Sequence, residues 1–60
     1  MQYIYYKITS RKDKNKSYKF TAWVHNVNKF IRDLTNRTIK AELITRAEYE
    51  EYKSKKDVEN

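Results

Sequence analysis

The 60-residue chain contains no cysteine, no glycine and no proline. Without cysteine there is neither a disulfide framework nor a thiolate metal site. His25 is the only histidine, so a His-rich zinc site is excluded as well. Without glycine, neither a Gly-rich phosphate loop nor the strained nucleophile elbow of hydrolases can be built. Turns must be made by other residues, and Asp13 or Asn15 would have to supply any left-handed position in the first polar segment. Long apolar runs are missing too. No stretch approaches the ~20 residues of a membrane span, and no signal-peptide core follows Met1. The expectation is a soluble cytoplasmic protein with no membrane contact and no cofactor.

What the chain does have is positive charge and aromatic rings. Fourteen Lys and Arg stand against eight Asp and Glu, a formal net charge of +6. The charge is uneven: Lys7, Arg11, Lys12, Lys14, Lys16 and Lys19 face Asp13 alone in the first twenty residues, whereas residues 41–60 are mixed. A basic first hairpin would attract polyanions, although a lysine surplus also serves plain solubility. Sixty residues allow one domain, expected over residues 1–56 with a frayed tail at 57–60.

Residues 3–9 alternate, with Ile4, Tyr6 and Ile8 on one side and Tyr3, Tyr5 and Lys7 on the other. Residues 17–24 alternate again, setting Tyr18, Phe20, Ala22 and Val24 against Lys19, Thr21 and Trp23. Period-2 patterning of this kind makes strands with two different faces. The polar segment RKDKNKS joins the two as a hairpin loop. Val27, Phe30, Ile31 and Leu34 then follow helical spacing, with Asn26 or His25 able to cap and Asn36 able to end the helix in a left-handed conformation. Trp23 also fits that spacing, which leaves open a helix start near Thr21. Residues 38–44 alternate once more. Thr45-Arg46-Ala47-Glu48 is a capping box that opens a second helix from Arg46 to about Lys55.

The order β-β-α-β-α predicts a small two-layer α+β domain. Its three-stranded sheet has order 2-1-3 with antiparallel neighbours, the first helix lying on the face of Ile4, Tyr6, Ile8, Phe20, Ala22, Ile39 and Leu43. Tyr6 and Phe20 are expected to be buried together under Phe30 and Ile31.

The opposite face gathers Tyr3, Tyr5 and Trp23 with Lys7, Lys19 and Lys40. Rings that stack and cations that hold phosphates suit single-stranded DNA or RNA, with Arg11, Lys12, Lys14 and Lys16 following a backbone. The same residues suit a protein hot spot. Homodimerisation through this face, or burial under the second helix with Tyr49 and Tyr52 beside Trp23, are further readings. Catalysis is not expected. His25 lacks partners for acid–base work, and the match to HicA-type mRNA-cleaving toxins, which rely on a Gly-Ser-His-type motif, fails without glycine. In pattern and AT-rich composition the chain resembles the small accessory proteins of Gram-positive phages and mobile elements. That resemblance implies a factor that binds and inhibits or modulates a host protein or a protein–nucleic-acid complex. The alternative is a nucleic-acid-binding module.

Overall fold

A computed structural model describes residues 1–58, with side chains placed through Lys55. Its elements are β1 (Gln2–Ser10), β2 (Ser17–Val24), α1 (Val27–Leu34), β3 (Ile39–Leu43) and α2 (Arg46–Val58). The sheet order is β2-β1-β3, and both pairings are antiparallel. This is the α+β architecture expected from the alternating and helical patterns. Tyr6 stands opposite Phe20 and Leu43, and Ile8 opposite Tyr18 and Ala41, so one face is apolar across all three strands. Tyr3 stands opposite Trp23, and Lys7 opposite Lys19 and Glu42, which makes the other face aromatic at one end and charged at the other.

The turns differ from the glycine-like geometry anticipated at Asp13, Asn15 and Asn36. No non-glycine residue has a positive φ among the described residues. Asp13 instead accepts a bond from the Asn15 N–H on its side chain and one from the Lys16 N–H on its carbonyl, closing an Asx-type turn. Asn36 Oδ1 accepts from Thr38 N, Thr38 Oγ1 and Ile39 N, so the α1–β3 corner is built from side-chain acceptors. Helix α1 begins at Asn26, not near Thr21, because the Asn26 side chain caps the Lys29 N–H at 3.1 Å and Val24 still belongs to β2. Thr45 Oγ1 caps α2 by accepting from the Glu48 N–H. This helix continues to Val58, past the expected end near Lys55; Glu59 and Asn60, expected as a frayed tail, lie outside the described residues.

The core is thinner than the apolar patterning suggests. Only Ile4, Val24 and Ala41 are buried apolar side chains among the described residues. Tyr6 meets Phe30 edge-on at 5.2 Å and Phe20 at 5.7 Å. Yet Phe20 remains 43% exposed, Tyr18 53% and Leu43 52%, so the expected burial of Phe20 and Leu43 under α1 does not occur. The reason is placement, since a single helix is set over one flank of the sheet. Helix α1 lies toward β3, where Thr35 Oγ1 accepts from the Ala41 N–H and donates to the Ile31 carbonyl. The β2 flank of the same face is left exposed at Tyr18 and Phe20, while Val24 at its far end is buried.

Candidate functional site

The aromatic and basic side chains share one sheet face, and α2 divides them. Tyr3 and Trp23, cross-strand partners on β1 and β2, pack with ring centroids 4.9 Å apart. Tyr5 meets Tyr3 edge-on at 5.4 Å. Tyr49 of α2 then lies against Tyr5 at 5.5 Å, and the ring of Tyr52 sits 5.2 Å from the Lys19 ammonium. Helix α2 therefore crosses the middle of the face over Tyr5 and Lys19, not beside Trp23 as the burial reading had it. Two residues stay outside at the near end: Trp23 is 63% exposed and Tyr3 42%.

Beyond α2, at the hairpin end, an open hollow of about 500 Å³ is lined by Lys7, Arg11, Lys14, Lys40, Ser17 and Glu42 among others. Glu42 pairs with Lys40 at 3.4 Å, an exposed contact of small energetic weight. Arg11 is anchored by its Nε bond to the Asn36 carbonyl at 2.8 Å. Lys7 is half-buried between Lys19, a like charge directly across one strand pair, and Glu42, an opposite charge directly across the other. Lys19 finds relief over the Tyr52 ring. Lys7, Arg11, Lys14 and Lys40 thus come together, whereas Lys12 and Lys16 stay exposed on the turn outside the hollow.

The expected ten-residue platform is therefore two half-sites: an aromatic corner (Tyr3, Trp23) and a basic hollow. Sequence reading did not anticipate Ser17, Thr9 and Glu42 as part of the hollow, although their alternation with apolar residues places them on that face. It also did not anticipate a second, shallow groove of about 480 Å³ at the end of β2. Trp23, Val24, His25, Lys29, Phe30 and Asp33 line it, which sets apolar side chains among charges of both signs. His25 is exposed and leaves the capping of α1 to Asn26.

Among the described residues no group of three or more His, Asp or Glu side chains converges on a possible metal position. No helix among them is long and apolar enough to cross a membrane. Comparison with protein-family models, with curated proteins and with solved structures found no match.

Proposed function

We propose that this chain is a small non-enzymatic binding protein that engages a host protein through its aromatic corner and so modulates or inhibits it. The observation that carries this reading is Trp23: 63% exposed, yet held by Tyr3 at 4.9 Å and flanked by a groove of mixed charge. A large ring already fixed by a neighbour loses little entropy on binding, and Trp, Tyr and Arg dominate interface energetics. Mixed charge among apolar side chains suits a protein surface better than a polyanion. The accessory role is what the resemblance to small proteins of Gram-positive phages and mobile elements implies.

A second reading rests on a different observation. Lys7, Arg11, Lys14 and Lys40 converge on a hollow with one carboxylate, which suits the phosphates of DNA or RNA. Two variants separate the readings in a pull-down from host extract. Trp23→Ala should weaken a protein complex by ~2 kcal/mol or more, whereas neutralising Arg11, Lys12, Lys14 and Lys16 should mainly slow association. Equal loss in both variants, together with release of the bound material by nuclease, would overturn the protein-partner reading. It would establish nucleic acid as the ligand.

A further inference from the structure

The unexpectedly bare part of the molecule lies on the other face, along the outer strand β2. The chain exposes 5020 Å². A compact folded chain of its 7.4 kDa mass exposes roughly 4,200 Å². Part of the excess of about 800 Å² lies on α2, whose described side chains are all exposed except Tyr49 and Tyr52. Tyr18 and Phe20, both exposed, concentrate part of that excess on one edge strand.

The two edges of the sheet are not alike. β3 has five residues, two of them charged, and the outward backbone groups of Ile39 at its N-terminal end are engaged by Asn36, whose N–H donates to the Ile39 carbonyl and whose Oδ1 accepts from the Ile39 N–H. β2 has eight residues in unbroken register with β1, a single charge, no proline and no bulge. Isolated edges are normally blunted by such devices, because a flat unpaired edge templates another strand. The ladder also fixes which backbone groups are free. The Ser10 N–H donates to the Lys16 carbonyl, which makes that opposed couple a hydrogen-bonded pair. Alternation along an antiparallel ladder then turns the backbone N–H and C=O of Ser17, Lys19, Thr21 and Trp23 outward.

We infer that β2 pairs antiparallel with β2 of a second copy of this chain, about a two-fold axis at Phe20, forming a continuous six-stranded sheet. In this register Phe20 faces its own copy, Tyr18 faces Ala22, Lys19 faces Thr21 and Ser17 faces Trp23. Large rings meet a ring or a small residue, and no cation faces a cation. A register centred one residue earlier would oppose Lys19 to itself and is disfavoured. An isologous pairing of this kind closes at two copies. It also has a functional consequence. Trp23 of one copy comes beside Ser17 of the other, whose side chain lines the basic hollow, so the seam joins the aromatic corner and the hollow that α2 separates within one chain.

The test is sedimentation equilibrium of the full chain from low micromolar to several hundred micromolar. The wild type should reach a dimer and stop there. Thr21→Pro removes only an outward N–H, which an edge strand tolerates, and should be monomeric with an unchanged circular dichroism spectrum. Phe20→Lys should weaken the dimer at least tenfold. Hydrogen exchange on the wild type needs no variant: the Thr21 and Trp23 amides should be protected at high concentration and unprotected at low. A wild type that is monomeric throughout, one that grows past a dimer, or a Thr21→Pro protein that still dimerises would each overturn the proposal. Concentration-independent exchange at those two amides would do the same even if both variants failed to fold.

Discussion

At the scale of single residues, Asn36 replaces the glycine this chain lacks. Its Oδ1 takes bonds of 2.8, 2.8 and 3.0 Å from Thr38 N, Thr38 Oγ1 and Ile39 N, and its carbonyl holds the Arg11 side chain. The side chain thus fixes the start of β3, while the backbone carbonyl of the same residue holds the wall of the hollow. Asn36→Ala should lower stability by ~1–2 kcal/mol, the effect of losing a cap-like acceptor in an exposed corner. Asn36→Asp keeps the acceptor and should lose much less. Urea denaturation of the two variants, read at constant m-value, checks this; equal losses would show that the acceptor geometry is not what holds the corner. Asp13 does similar work in the hairpin through its bond from the Asn15 N–H. The corners were foreseen as left-handed because Asn and Asp tolerate that region. Their side-chain acceptors offered another solution, and composition does not distinguish the two.

At the scale of elements, the two helices are attached differently. Helix α1 is tied to β3 by Thr35 and to the sheet by the Phe30–Tyr6 contact. Helix α2 meets the sheet through Tyr49 on Tyr5 and Tyr52 near Lys19, while Arg46–Glu50 and Glu51–Lys55 are exposed pairs within the helix itself. The bond and charge of Glu50 push the fully exposed Arg46 guanidinium further up from its already high pKa. Phe30→Ala should therefore cost about 3 kcal/mol, the low end of the range for a buried aromatic, because Phe30 is only half-buried. That loss is enough to unfold much of so small a domain. Tyr49→Ala should act locally instead, speeding amide exchange in α2 more than it lowers global stability. Native-state hydrogen exchange separates these outcomes. Uniform acceleration across the sheet in Tyr49→Ala would mean that α2 is part of the cooperative core. Strand identity, strand order and the start of α2 were legible in the sequence, since alternation and capping residues act locally; the start of α1 stayed open between Thr21 and Asn26 because Trp23 fits both periods. How far α1 reaches across the sheet was not. Periodicity identifies the apolar face of a helix but says nothing of which strands that face will settle on.

At the scale of the whole molecule, the chain is a thin slab, 14 Å in its shortest dimension, with a +6 charge gathered toward the hairpin end. The sequence showed that charge and its unevenness. It did not show that α2 would cross between rings and cations, because that depends on where Tyr49 and Tyr52 find space on a face the strands supply. The crossing leaves Lys7, Arg11, Lys14 and Lys40 around one hollow, with Lys19 directly opposite Lys7. Like charges facing each other across a strand pair destabilise it, Glu42 on the other side of Lys7 offsets part of that, and the Debye length shrinks to a few ångströms near molar salt. With a net charge of +6 repulsion outweighs the few exposed ion pairs, so stability of the free protein should rise by about 0.5 kcal/mol between about 0.01 M and 0.5 M sodium chloride, opposite to a fold held by surface ion pairs. Replacing Lys7 with Met, which keeps the chain's length and apolar stem, should flatten that dependence by removing the half-buried cation that faces Lys19. Denaturation midpoints of the two proteins across the salt series decide the matter. A wild type that loses stability with salt, or a Lys7→Met protein with the same slope, would show that the hollow's cations are already relieved by their neighbours and do not await an anion.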